Sequence, residues 1–578
     1  MSYQEFDPIP VYRHYKRLIG TGKVGGKAKG LAFAHTIITG STFESFVDLP
    51  PINYVITTDI FQEFVEDNLI KKILADAIDA APESSEEDGA EYIFAVVSEA
   101  FRNGKVRESF KKNLISVIEE IGDIPLAIRS SSLLEDSKKL SFAGKYGTRF
   151  SANTGSIEER YEKIELAIRE VWASLYNPAA RAYRKKHGFC DENEAMAVII
   201  QPVMGKPHGN MFYPEIAGTV FSKVYRRPST RIKKDDGIMR YCFGMGTRTV
   251  DRAKACQVFL SHPSLRPQGN QPEDIAQTSQ IEFDFVDRNR GEFTTANVGD
   301  HLSFILKEHP MASSFIEIYC DNLLYWAGSS LGRKDGLPLF TFSSFPQRHP
   351  KFFSRMKDLA HFLEESMGMP VDFEFTYDTA SEQLFIVQLR PLAAYEEMAK
   401  VRIPEVREDQ IILRGNRMVS NGRLEHIKHI VYVDPYLYGK DDTFYQVARE
   451  IGRINEKLAG TNYILVGPGR WGSSNPKLGT PVRYNEICNC GCLIEVGITE
   501  KNYTPELSYG THFFLDLDND GILYLPVFSG FKDNIFNHEW FNTAPYEQKR
   551  HPAVRFYTGD FSVFLDGDKE KGVIIVNE

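Results

Sequence analysis

Hydrophobic and polar positions alternate most cleanly over residues 371–391, VDFEFTYDTASEQLFIVQLRP. Two runs of period two flank a polar turn, which predicts a β-hairpin. Alternate side chains of a strand share a face. Asp372 and Glu374 therefore point one way, and Val371, Phe373 and Phe375 the other. On the second run Gln388 and Arg390 share a face, while Phe385, Val387 and Leu389 point away. Pairing the runs gathers two carboxylates, an amide and a guanidinium on one surface. Hard oxygen donors suit Mg2+, which takes one or two carboxylates together with substrate phosphates, and a guanidinium suits a phosphate oxygen. An ordinary hairpin with one wet face is the other reading of the same pattern.

Elsewhere the period is helical or that of buried strands. Ser156 and Glu159 form a capping box, and Ile157, Tyr161, Ile164, Ile168, Val171 and Leu175 follow at three- and four-residue spacing, predicting a core helix that ends at Pro178. Residues 56–122 read as helices broken by a solvated acidic loop at 82–89, and residues 355–367 as a helix leading into the hairpin. Residues 195–204 read as a buried strand ending in an edge or hinge at Gln201-Pro202, and residues 218–222 and 280–286 as further strands. The charged stretch KVRIPEVREDQ is a linker, and a second region begins at Ile411.

The length of 578 residues predicts three or four domains at roughly 150 residues each. A net charge of -10 argues against a nucleic-acid-binding surface. No apolar run reaches the ~18 residues of a membrane span, and the first residues lack a signal-peptide core. Seven unevenly spread cysteines predict reduced thiols and a cytoplasmic protein, with neither nucleic acid nor membrane as partner.

Glycine-rich stretches carry the remaining candidate chemistry. Residues 20–33, GTGKVGGKAKGLAF, run from a turn into a helix, where backbone N–H groups and Lys27 suit a phosphate. The stretch is not a Walker A motif, and its G-x-G-x-x-G match follows no convincing strand. In residues 127–153 Arg129 closes an apolar run and precedes three serines; SFAGKYGT, with Gly144 and Lys145, can fold over a polyphosphate. Residues 244–252, GMGTRTVDR, form another glycine-rich turn. Beyond Ile411 the unusual blocks are YILVGPGRWGSSNPKLGTPV and SYGTHFF. DLDNDG at 516–521 lacks the closing Glu of an EF-hand and reads as a hairpin turn. Cys488, Cys490 and Cys492 lack zinc-site spacing and read as alternation on a strand.

Four stretches in order, GGKAKGLA, AIRSSSLLED with SFAG, the strand with Gln201, and DFEF with IVQLRP, resemble the N-terminal nucleotide-binding domain of pyruvate phosphate dikinase and phosphoenolpyruvate synthase. Rifampicin phosphotransferase shares that domain. The resemblance covers about residues 15–395 and implies an ATP-grasp fold with ATP between two lobes. It implies that Lys27 and Arg129 bind and polarise the phosphates, and that Gly144 and its neighbours cover them. Gln201 would line the adenine pocket, and Glu374 and Gln388 would hold Mg2+ with Asp372 beside them on the nucleotide. Arg390 would contact the transferred phosphoryl group. Two departures stand out: SFAG continues as Lys145-Tyr146-Gly147 rather than with two glutamines and an acidic residue, and GPGRWGSS with LGTPV stands where the family's swivelling domain carries a phosphohistidine.

The expected architecture is α/β (α+β): an ATP-grasp domain with lobes at 1–200 and 201–397, a linker at 398–410, and a smaller mixed, β-rich domain at 411–578, in the manner of a degenerate swivelling domain. The expected function is an ATP-dependent phosphotransferase using ATP and Mg2+ on a small-molecule acceptor, without a phosphohistidine. Arg470, Ser473, Ser474, Arg483 and His512 are the acceptor-side candidates, with Arg470 at the shared cleft. An ATP-dependent ligase forming an acyl phosphate and a non-catalytic nucleotide sensor are the alternatives.

Overall fold

The structure, a computed structural model, describes residues 2–48, 53–82, 86–133, 146–186, 194–224, 231–250, 254–266, 271–327, 336–392, 401–438, 442–473, 475–497, 517, 521–567 and 569–577. Gly144, Lys145, Ser474, His512 and most of the DLDNDG turn lie outside them. The fold is mixed α/β.

A first five-stranded sheet has the spatial order Leu18–Ile19, Tyr54–Ile56, Met196–Pro202, Leu126–Ser132, Thr148–Ser151. The strands Met196–Pro202 and Leu126–Ser132 are buried along almost their whole length, the first through a near-continuous apolar run and the second with Arg129 only partly buried and its three serines buried. Helices pack on it, foremost Ile157–Ala173, which has the predicted capping box and buries Tyr161, Ile164, Ile168 and Val171. Pro178 does not simply end that helix: it opens the next one, Pro178–Lys186, because proline is well tolerated in a first turn. The acidic loop is also shorter than expected, since the helix Glu86–Asn103 already begins inside it.

The second sheet, of six strands, is ordered Cys256–Phe259, Ile238–Phe243, Ile216–Phe221, Val371–Asp378, Gln383–Pro391, Val47–Asp48. The predicted hairpin therefore lies within it. Its register pairs Asp372 with Arg390 and Glu374 with Gln388, and it then slips, so that Phe375 faces Ile386 and Val387 has no partner. This bulge corrects the predicted alternation. Leu384, Ile386 and Leu389 are buried in the core, whereas Phe385 and Val387 are only partly buried.

Residues 1–200 do not all serve the first sheet. Val47–Asp48 extends the second one, and the helix Gly25–Ile38 buries Leu31, Ala32 and Phe33 in the same core as Val220, Phe373 and Leu389. Gly30 permits that packing: a Cβ there would stand 1.9 Å from the Leu389 carbonyl oxygen. The amino-terminal segment thus ties the two sheets together.

The C-terminal sheet takes its first strand from Ile411–Gly415. The strands Gly422–Val433, Tyr463–Pro468, Cys490–Gly497 and Leu523–Phe528 run parallel to one another in sequence order, and antiparallel strands complete the other side. The cysteine run lies at the start of one parallel strand, but a register shift sends Cys490 and Cys492 into different cores on opposite faces, so simple alternation fails there. This region meets the first sheet's helices through Tyr484, whose ring packs edge-on 5.7 Å from Tyr183, and through an ion pair between Arg483 and Glu91.

Candidate active site

The two sheets of the amino-terminal region enclose a cleft of about 450 Å3. At its centre Arg129, on the first sheet, reaches across to the hairpin of the second. Its Nη2 donates to Glu374 Oε2 at 2.8 Å and to Gln388 Oε1 at 2.6 Å. Its Nη1 donates to Gln201 Oε1 at 3.0 Å and to the Val387 carbonyl at 3.1 Å. The bulge explains the last contact. Having no cross-strand partner, Val387 offers its carbonyl to the cleft, where it also accepts from Gln201 Nε2 at 3.0 Å. Gln201 is thus tied to the hairpin, while Pro202, Val203 and Met204 continue the cleft wall.

Lys27 enters from the helix Gly25–Ile38 and donates to Ser130 Oγ at 3.0 Å. The neighbouring Ser131 hydroxyl accepts from the Ala28 N–H at 3.1 Å and donates to the Val24 carbonyl at 2.8 Å, fixing the first turn of that helix on the first sheet. The glycine-rich turn before it is anchored by Asp59, which accepts from Thr21 N at 2.8 Å. Burial raises the Asp59 pKa, but hydrogen bonds from Thr57, Thr21 and Gly22 outweigh it and hold the carboxyl down at about 2.

Arg390 also lines the cleft. Asp372, 1% exposed, sits against it, accepting from Arg390 Nε at 2.6 Å and from Nη2 at 2.6 Å. Asp372 itself is not among the cleft-lining residues and engages Arg390 from behind the wall.

The rest of the wall is largely apolar: Phe150 and Phe293 stack with ring centroids 4.9 Å apart, with Ala127, Met245 and Phe375 nearby. Sequence reasoning noticed GMGTRTVDR as a turn but gave it no role, and it supplies Met245, Gly246, Thr247 and Thr249 to this wall. The three serines after Arg129 were the available signal for the two hydroxyls that hold the Lys27 helix.

Among the described residues no group of three or more His, Cys, Asp or Glu side chains could hold a metal ion. Glu374 and Gln388 nevertheless present two hard oxygens that converge on one Arg129 nitrogen, a pair that could hold Mg2+ together with phosphate oxygens.

Among the described residues, the C-terminal candidates Arg470, Ser473 and Arg483 do not line this cleft, whose described lining residues end at Arg390. Arg470 is buried in the turn after the strand Tyr463–Pro468, and Ser473 is engaged by its own turn through Asn475. Trp471 is fully buried, its Nε1 donating to the Ile494 carbonyl at 3.0 Å and its backbone N–H to buried Glu495 at 3.1 Å. Gly467 is small for Trp471, since a Cβ there would stand 2.5 Å from the indole. Trp471 therefore staples the turn that follows the strand, and Arg483 lies at the contact with Glu91. His426 pairs with Asp560 at 3.2 Å, and the His429 ring rests 4.9 Å from that of Phe556.

Residues 21–410 match the family described as pyruvate phosphate dikinase, AMP/ATP-binding domain. The chain belongs to this family. The dikinase-type cleft just described falls wholly within the matched residues. The phosphoenolpyruvate synthase of Aeropyrum pernix is 25% identical over 426 residues, covering 70% of this chain and 45% of that protein. The probable phosphoenolpyruvate synthase of Archaeoglobus fulgidus is 31% identical over 132 residues, 23% of this chain and 15% of that protein. The uncharacterized phosphotransferase YvkC of Bacillus subtilis is 25% identical over 220 residues, 37% of this chain and 21% of that protein. The chain therefore spans less than half the length of each of these relatives. No helix among the described residues is long and apolar enough to cross a membrane.

Proposed function

We propose that the protein is an ATP-dependent phosphotransferase of the phosphoenolpyruvate synthase type, binding ATP with Mg2+ between its two amino-terminal sheets in an ATP-grasp arrangement. The observation that carries this reading is the reach of Arg129 from one sheet to Glu374, Gln388 and Val387 on the other. Such a bridge places positive charge and hard oxygens together in a cleft of nucleotide size.

Phosphoryl transfer requires positioning and charge neutralisation more than a protein nucleophile. Lys27 and Arg129 supply cations for the phosphates. Arg390, pre-aligned by Asp372, carries charge to the transferred group at no cost of reorientation during reaction. Phe150, Phe293 and Met245 offer an apolar wall that keeps water from the base. Glu374 and Gln388 would hold Mg2+, which when bound neutralises the phosphate oxygens.

In this proposal residues 1–397 form the nucleotide-binding lobes, and the region from Ile411 onward closes over a small-molecule acceptor that enters the cleft directly, without a phosphohistidine. A cytoplasmic location belongs to the same reading, in keeping with the free thiols of Cys242 and Cys256.

The test is a thermal shift with MgATP, which should rise as ligand exceeds Kd, followed by incubation with γ- and β-labelled ATP and a metabolite extract. A stable phosphorylated small molecule is expected. A coupled acyl product with phosphate release would indicate a ligase, and no shift at millimolar MgATP in folded protein would overturn the nucleotide site. Stoichiometric label on His426, His429 or His512 would overturn direct transfer.

A further inference from the structure

A second recess, of about 260 Å3, opens in the C-terminal region. It is lined by Gln446, Arg449, Glu450 and Arg453 of the helix Phe444–Lys457, and by Arg550 and His551 from the segment before the strand Val554–Asp566. We propose that this recess binds a small phosphate-bearing anion, either inorganic phosphate or a compact phosphomonoester, independently of the nucleotide cleft. The two cavities share no lining residue.

Helical spacing of three, four and seven residues sets Gln446, Arg449, Glu450 and Arg453 on one face. Arg550 closes the recess from a different element, so guanidinium groups converge from two sides. The one carboxylate in the wall, Glu450, is already engaged: Oε2 accepts from Arg453 at 3.0 Å and Oε1 from the Arg550 backbone N–H at 3.2 Å. Arg449 is paired at 3.0 Å with Glu486, which is 2% exposed and not among the lining residues. The Arg550 side chain is exposed and forms no ion pair among the described residues. His551 contributes no charge in this arrangement, because its Nδ1 accepts from the Ala553 N–H at 3.1 Å, leaving Nε2–H to face Thr443 Oγ1 at 2.7 Å.

The wall thus holds three guanidiniums against one carboxylate, with a second carboxylate behind Arg449. Burial pushes the Glu486 carboxyl up to about 7, which weakens that second negative charge near neutrality and leaves the surplus positive. Forked donors arriving from several directions suit a tetrahedral oxyanion with three or more acceptor oxygens, whereas one fork satisfies a carboxylate. The volume lies below the roughly 300–1,000 Å3 of drug-sized sites, which points to a compact ligand rather than a second nucleotide.

Isothermal titration of the full chain with inorganic phosphate, with glycerol phosphate, and with malonate as a dicarboxylate control tests this. One saturable event is expected for phosphate or for the ester, and the tighter of the two identifies the source. Arg550→Ala and Arg453→Gln should each weaken it at least about tenfold, as loss of a charge-assisted hydrogen bond does. Both side chains are substantially exposed, so the fold should tolerate either change. The event should persist in Arg129→Ala, which alters only the nucleotide cleft. The proposal is overturned by an absence of saturable binding, by malonate binding equally well, by an Arg550→Ala protein that binds like wild type, or by loss of the event in Arg129→Ala.

Discussion

Replacing Glu374 by glutamine should change ATP affinity in opposite directions with and without Mg2+. The Glu374 carboxylate holds Arg129 at 2.8 Å. ATP without metal must bring its phosphates toward that carboxylate and compete for the same guanidinium. Two unit charges ~6 Å apart at an effective dielectric of about 20 repel by roughly 3 kcal/mol. Glu374 is 19% exposed, so solvent and salt reduce this to about 1–2 kcal/mol. At 1.4 kcal/mol per tenfold, metal-free ATP should bind the Glu374→Gln protein roughly 5- to 30-fold more tightly than wild type. With Mg2+ present the sign reverses, because the variant lacks a charged hard ligand, and affinity should fall about tenfold or more. Isothermal titration of both proteins with ATP in chelator and in excess Mg2+ reads the crossover. If the substitution moves both affinities the same way, or leaves both within about twofold, Glu374 does not face metal and phosphate together and the assignment of the hairpin fails.

Lys27→Ala and Arg129→Ala should each remove about 2–4 kcal/mol of transition-state stabilisation, a rate loss of roughly 30- to 900-fold in transfer of labelled phosphate; a near-normal rate would exclude the residue from the chemistry. Glu374→Ala and Gln388→Ala should abolish turnover with an unchanged circular dichroism spectrum, and a normal rate in either would remove that residue from the metal site. Gly30→Ala should lower the melting temperature, by a destabilisation of about 1–3 kcal/mol, because its Cβ would meet the Leu389 carbonyl; an unchanged melting temperature would show that the helix does not lie on the hairpin strand. Glu486 has a folded pKa of about 7, above its unfolded value near 4.5, so the folded state holds a proton that the unfolded state has lost. Its contribution therefore declines as pH rises from about 4.5 to 7, by about 3 kcal/mol. Glu486→Gln should match wild type near pH 4.5 and be more stable at pH 8, and parallel stability curves would contradict the burial of this carboxyl.

The shared face of the hairpin was legible in the sequence because a strand's period of two is local: Asp372, Glu374, Gln388 and Arg390 lie on one face whatever the strand packs against. The capping box at Ser156 was legible for the same reason, as its partners lie three residues apart. The ordered motifs likewise carried the family, which the match over residues 21–410 shows. What the sequence could not determine depends on pairings between distant segments. The slip at Val387 is a mismatch between two strands, invisible in either alone, and it provides the carbonyl that Arg129 and Gln201 share. The seating of the Lys27 helix on Leu389 depends on a contact across more than half of the matched region. The turn at Arg470 illustrates the converse: its glycines resembled a ligand loop, yet Gly467 leaves the room that the buried Trp471 fills. Sequence therefore determined which side chains could handle phosphate, since residue type and local period set that. Tertiary structure decided which of them meet, because a cleft exists only where separate sheets approach.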